Sequence, residues 1–233
     1  MSEIQLDILV FAAHADDAEI GMGGTIVKHV QAGLKVGIVD LTRAEMSSNG
    51  DVDTRLREAA AASDILGLAV RDNLGLPDRR LAVVPDMIDR MVAAIRMYRP
   101  RLVFAPYGID RHPDHVACSR MAEEAVFSAK LRRYMPDMPA WNVDQLLFYF
   151  INDAHVPQLL VDISDTQEIK MDALKAYRSQ FMPAGDQADW VATPLTAAYL
   201  EAVVARDRLL GQPKRLAYAE GFIPKGPMTV DRF

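Results

Sequence analysis

The stretch that most constrains this chain is Ala13-His14-Ala15-Asp16-Asp17-Ala18-Glu19. It directly follows the apolar run Ile8-Leu9-Val10-Phe11-Ala12, which reads as a strand buried on both faces. It directly precedes Gly21-Met22-Gly23-Gly24-Thr25, after which a helical pattern begins. The end of a buried strand is a costly place for ionisable side chains, because unpaired buried charge is strongly disfavoured. A bound cation relieves that cost, since a neutral imidazole and a carboxylate are both good zinc ligands. His14 and Asp17 are therefore candidate metal ligands, and Asp16 is left for chemistry.

The rest of the chain repeats the strand–helix alternation. A helix is expected from Gly24 or Thr25 to Gln31, stopped by Gly33, and a second strand over 35–41. After a loop rich in Ser, Asn and Gly, Asp53 or Thr54 is placed to cap a helix over 55–66, ended by Gly67. A short strand over 69–74, a helix from Pro85 to Tyr98 and a buried strand over 101–105 follow. Later strands are expected over 145–151 and 159–163, and later helices over 165–181 and 193–210. A surface loop over 183–189 and a strand around 218–222 complete the pattern. Buried strands alternating with helices give parallel strands joined by right-handed crossovers. The expectation is one α/β domain over residues 1–233. Its Rossmann-like, mostly parallel sheet is flanked by helices, with an elaborated C-terminal part. Functional groups gather at the carboxyl ends of such strands. Three loops leave those ends, after Ala13, Leu41 and Ala105, and the last carries Asp110-Arg111-His112-Pro113-Asp114-His115. Two His/Asp clusters thus meet at one sheet edge.

Simpler explanations cover single residues but not the pair of clusters. His29 and His155 stand alone and read as satisfied polar residues. Asp114 falls near the start of a helix expected over 116–129, where an acid favours the dipole, and Asp16 and Asp17 could do the same for the helix after them. That accounts for one acid at a time and leaves the accompanying histidines unexplained. A dinucleotide site is imitated by the glycines and by Asp40, but Ile26 stands where the third glycine belongs and two aspartates would repel a pyrophosphate. Cys118 falls inside a helix, as a small core residue rather than a nucleophile. The net charge of -6 and the lack of a basic cluster argue against nucleic acid, and no apolar run reaches the ~20 residues of a membrane span. A single cysteine and an N-terminus without a basic leader fit a reducing cytoplasm.

His14, Asp17 and one histidine of the second cluster would make an open two-histidine, one-carboxylate zinc site with room for water. Fe(II) or another divalent ion suits the same donors. Asp16 would act as general base, and the remaining histidine would face the oxyanion or protonate the leaving group. That is a recipe for amide hydrolysis. A metal- or nucleotide-binding module without turnover is the rival, and it has no use for Asp16.

His14-Ala15-Asp16-Asp17 together with His112-Pro113-Asp114-His115 resembles the paired motifs of the LmbE-like (PIG-L-like) zinc deacetylases, with Ala15 where proline is usual. Leu76-Pro77-Asp78-Arg79, Tyr134-Met135-Pro136, Ser179-Gln180-Phe181, Thr193-Pro194-Leu195 and Tyr218-Ala219-Glu220-Gly221-Phe222 look like the bacillithiol branch, which deacetylates N-acetyl-glucosaminyl-malate. The resemblance implies zinc ligands His14, Asp17 and His115, general base Asp16, and His112 as oxyanion donor or acid. It implies that Asp114 orients a histidine and that Arg55 and Arg111 lie near the substrate, Arg55 being the residue expected to grip malate. Asp110 stands where the mycothiol branch has a tyrosine, so that tyrosine's role is not carried over. The resemblance also implies a homo-oligomer such as a hexamer, and leaves a chitooligosaccharide or another N-acetylated sugar as the alternative substrate.

Overall fold

A computed structural model describes residues 4–182 and 190–229. The expected 183–189 loop lies outside the described residues. The elements in order are β1 (Ile8–Ala12), α1 (Asp17–Gln31), β2 (Val36–Thr42), α2 (Val52–Leu66), β3 (Val70–Leu76), α3 (Pro85–Tyr98) and β4 (Leu102–Pro106). They continue with α4 (Pro113–Ala129), β5 (Gln145–Tyr149), β6 (Leu159–Asp162), α5 (Gln167–Ala176), α6 (Arg178–Phe181), α7 (Tyr199–Gly211) and β7 (Ala219–Pro224).

The seven strands form one sheet in the order β3-β2-β1-β4-β5-β7-β6. All neighbouring pairs from β3 to β5 are parallel, and β7 runs antiparallel to both β5 and β6. Both faces are covered, and β1 shows why its sequence is uniformly apolar. Ile8, Val10 and Ala12 pack into one core with Ala59, Ala62 and Leu66 of α2 and Leu174 of α5. Leu9, Phe11 and Ala13 pack into the other, with Met91 and Ile95 of α3 and Met121 and Ala125 of α4. Alternate side chains of a strand point to opposite faces, so a strand between two helical layers has no polar side to show. Cys118 of α4 is buried in that second core, as its sequence setting suggests.

Several element boundaries differ from the sequence expectation. α1 begins at Asp17, not Gly24, but Met22 is non-helical (φ -150, ψ 21) and splits it. The sequence pattern detects only the second segment. Glu220 of β7 caps that segment, accepting the backbone N–H groups of Gly24 at 3.0 Å and Thr25 at 2.7 Å. Gly21 is required at the split because a Cβ there would lie 2.2 Å from the Tyr149 ring. α2 is capped two or three residues earlier than expected, by Asp51, whose carboxylate accepts the Thr54 N–H at 2.8 Å. α4 begins at Pro113, with His112 as its cap. The helix expected over 165–181 is broken at Tyr177, and the one expected from Thr193 begins at Tyr199.

Candidate active site

The strand order reverses between β1 and β4: the chain builds outward from β1 through β2 to β3, then crosses to β4 on the other side. The loops leaving the carboxyl ends of β1 and β4 therefore diverge and leave a crevice, the usual ligand site of such sheets. His14 to Asp17 and Asp110 to His115 line this crevice from its two sides. The structure adds a loop that the sequence reading did not count. β3 runs to Leu76 rather than 74, so its carboxyl end delivers Asp78 to the same place.

Two histidines have the same arrangement. His14 turns Nδ1 to Asp17 (3.4 Å) and Nε2 to Asp78 and Asp114 (3.3 and 3.5 Å). His115 turns Nε2 to Asp17 (3.1 Å) and Nδ1 to Asp110 (2.9 Å). Asp17 is thus held between two imidazoles, and its Oδ2 also accepts the backbone N–H of His14 at 2.8 Å. Each imidazole has an outer carboxylate to fix its ring and tautomer, the arrangement that supports metal-bound histidines. Burial opposes charge on both rings, yet the acids outweigh it. Asp114, Asp17 and Asp78 hold His14 well above its ordinary pKa, and Asp17 and Asp110 lift His115 to about 9.

These residues fit a divalent cation. Tetrahedral ligands about 2 Å from an ion lie about 3.3 Å from one another, and the contacts of 3.4 and 3.1 Å from Asp17 to the histidines are close to that spacing. A cation would also supply the positive charge that the carboxylates draw onto the rings. His14 with Asp78 and Asp114 is another set whose ligand atoms lie within 4.8 Å of one another, and His14 with His112 and His115 is a further one. Hydrogen bonding argues against His112 in that set. Its Nδ1 accepts the Asp114 backbone N–H at 3.2 Å, so the neutral ring carries its proton on Nε2 and has no free lone pair. Burial, with His115 and His14 nearby, lowers His112 to about 4, so the ring is neutral at pH 7.

Asp16 stands beside this cluster, buried and in the left-handed region (φ 112, ψ -26). A non-glycine residue held there is strained, and such strain concentrates at functional sites. Burial pushes its carboxyl up to about 6, against the opposing charge of Arg55. Arg55, the residue the sequence reading expects to grip malate, lines the cavity but is buried beside Asp16 rather than exposed. It is 3% exposed, and its Nη2 donates to Asp16 Oδ2 at 3.2 Å and to the Ala15 carbonyl. The guanidinium lies 5.5 Å from the centre of the Tyr177 ring. The Tyr177 hydroxyl donates to Glu19 at 2.7 Å, and Arg71 joins Glu19 (2.5 Å) to both oxygens of Asp40 (2.9 and 3.0 Å). Asp40, the residue that imitates a ribose-binding acid, is consumed in this buried pair.

A cavity of about 400 Å³ opens over the cluster, within the range of small-ligand sites. Its lining includes His14, Asp16, Asp17, His112 and His115, together with Arg111, Asn152 and Tyr199. Arg111 is exposed and donates to Asn152 Oδ1 at 3.0 Å. Asp114 is buried, between the Arg79 N–H (2.7 Å) and His14. The sequence reading names Asp78 and Asp110 inside its motifs but gives them no role at the site, and it does not name Asn152 or Tyr199. Asp110 sits two residues before His112, within reach of the motif; Asn152 and Tyr199 carry no local signal. His29 and His155 bond the Thr25 and Ile109 carbonyls, at 2.7 and 3.0 Å, away from the cluster.

Residues 9–126 match the PIG-L family, described as GlcNAc-PI de-N-acetylase. The chain belongs to this family. Among its relatives, the diacetylchitobiose deacetylase of Thermococcus kodakarensis is 31% identical over 75% of this chain and 70% of its own length. A probable N-acetyl-α-D-glucosaminyl L-malate deacetylase of Bacillus subtilis is 31% identical over 74% of this chain and 82% of its own. The solved structure of the conserved protein TT1542 from Thermus thermophilus is 42% identical, covers 97% of each chain and superposes with a TM-score of 0.88. No helix among the described residues is long and apolar enough to cross a membrane.

Proposed function

We propose that this chain hydrolyses the N-acetyl group of an N-acetylglucosamine conjugate, using a zinc ion held by His14, Asp17 and His115. The observation that carries the reading is the paired orientation of His14 and His115. Each turns one ring nitrogen to Asp17 and the other to an outer carboxylate. When bound, zinc polarises the acetamide carbonyl and makes water acidic enough to attack at neutral pH. Asp16 takes the proton of the attacking water and passes it to the departing nitrogen, so that the C–N bond breaks to acetate and a free amine. Arg55, donating to Asp16, fixes the direction of that carboxylate. The Nε2–H of His112 donates to the oxyanion as charge develops on it; a neutral imidazole serves as donor here, not as acid. Asp78, Asp110 and Asp114 hold the histidines in their tautomers.

The substrate we favour is N-acetyl-glucosaminyl-malate, supported by the Bacillus subtilis relative and by exposed Arg111 in the cavity lining. The Thermococcus relative supports diacetylchitobiose as the second candidate. The test is release of acetate and amine from both compounds, with enzyme stripped of metal and then resupplied with zinc or Fe(II). One acetate per amine, dependent on metal, is the expected result. No acetate from either substrate with metal restored would overturn the reading.

A further inference from the structure

The charged residues that line the cavity fall into two groups. Asp16, Asp17, Asp78 and Arg55 are buried: Asp16 pairs with Arg55 Nη2, Asp17 and Asp78 pair with His14, and Arg55 Nε and Nη1 have no hydrogen-bond partner among the described residues. Arg79 and Arg111 are exposed, and both are cations. The protein as a whole carries -6, so these two guanidiniums are a local reversal of sign at the mouth of the cavity.

Arg79 has a further peculiarity. Its φ is +63, a left-handed conformation that glycine adopts without strain and arginine does not. The turn does not need the arginine side chain. Its structural bond is the backbone N–H to Asp114 at 2.7 Å, which glycine would supply equally. The guanidinium itself is 46% exposed and has one contact among the described residues, Asp114 at 3.5 Å, too long for a direct charged hydrogen bond. An exposed pair of this kind contributes little to stability. The position thus carries backbone strain and a nearly unspent cation where glycine would satisfy the fold. Arg111, by contrast, is aimed by Asn152, which Asp110 holds through the Asn152 N–H (3.1 Å) and side-chain amide (2.9 Å).

We infer that Arg79 is a specificity residue, which with Arg111 binds a carboxylate or phosphate on the part of the substrate that points out of the cavity. The inference rests on the deacetylase reading and narrows it: the substrate is an anionic N-acetylglucosamine conjugate, not a neutral oligosaccharide. Arginine suits this because its planar fork pairs both oxygens of a carboxylate or phosphate.

The experiment compares kcat/KM of the metal-loaded full chain on three compounds: N-acetyl-glucosaminyl-malate, N-acetylglucosamine 1-phosphate and the neutral methyl glycoside. The variants are Arg79→Gly, which suits the turn, Arg79→Asn, which tolerates it, and Arg79→Lys. Arg80→Ala, an exposed neighbour outside the cavity lining, serves as control. Wild type should prefer at least one anionic compound, and which one it is identifies the anion. In Arg79→Gly and Arg79→Asn the ratio of anionic to neutral kcat/KM should fall about tenfold or more, the scale of one charged hydrogen bond. Arg79→Lys should recover part of it, and the Tm of Arg79→Gly should hold or rise as strain is released. A purely structural Arg79 would lower all three substrates together, and an unchanged ratio in both variants overturns the inference. Wild-type turnover of the neutral glycoside alone would also overturn it while sparing the deacetylase reading. Turnover of none would sink both.

Discussion

Two of the buried charge clusters among the described residues make a useful contrast. Lys170 of α5 is fully buried and bonds Asp207 of α7 at 2.5 Å and Glu220 of β7 at 2.8 Å. Arg206 takes the other oxygen of Asp207 at 3.2 Å, and Glu220 also caps the second segment of α1. Two cations meet two acids, none of them lines the cavity over the histidines, and four elements are tied together. At the carboxyl edge of the sheet, Asp16, Asp17, Asp78, Asp110 and Asp114 face three histidines and two arginines, and a cavity opens over them. Closed and balanced charge fixes packing; acid-rich charge beside an open cavity suits a cation. Burial alone does not separate structure from chemistry; an excess of acid together with an open cavity does, since Glu19 and Asp40 outnumber Arg71 but do not line the cavity.

The sharpest way to break this contrast is to remove the acid that both histidines face. Asp17→Ala should bring bound metal from about one ion per chain to none and reduce deacetylation to background, as expected for loss of a ligand from a three-ligand site. Elemental analysis of the purified variant checks it, and full occupancy would remove Asp17 from the ligand set. The same operation on the closed cluster should read out as stability. Lys170→Met leaves Asp207 and Glu220 buried without their cation, which costs about 3–5 kcal/mol for a broken buried pair. Denaturant unfolding measures the loss. The folded fraction should keep its metal, and a folded Lys170→Met variant without metal would show that the clusters are not independent.

How much of this could be read from the sequence follows the same division. The strands were legible because a doubly covered sheet demands uninterrupted apolar runs such as 8–12. The two His/Asp clusters were legible because their acids and imidazoles are sequence neighbours at strand ends. What escaped depends on partners far along the chain. The split of α1 at Met22 needs Tyr149 against Gly21 and Glu220 under Gly24. Arg55 reads as an arginine at a helix start, and only the fold reveals that Asp16 claims it. The orientation of each imidazole, which separates His115 from His112, is set by Asp110 and by the α4 cap.

Smaller effects sharpen the comparison further. His112→Ala should keep the metal and lower kcat about 10²-fold, the scale of a single oxyanion donor, with KM little changed. Loss of metal in that variant would return His112 to the ligand set. Tyr177→Phe removes the hydroxyl bond to Glu19 beneath Arg55. Stability should fall by about 1 kcal/mol for one hydrogen bond, and kcat a few-fold as Arg55 and Asp16 lose their setting. An unchanged kcat would confine Tyr177 to packing.

The proposed chemistry depends on a division of labour between two adjacent aspartates, Asp17 as ligand and Asp16 as base. Asp16→Asn keeps the shape of the side chain and its contact with Arg55 but cannot take a proton. Metal content and acetate release, measured on the same preparation, should show about one ion per chain and a rate reduced by roughly 10²-fold or more, the scale of general-base removal. Turnover near that of the wild type with metal bound, or loss of the metal itself, would contradict it.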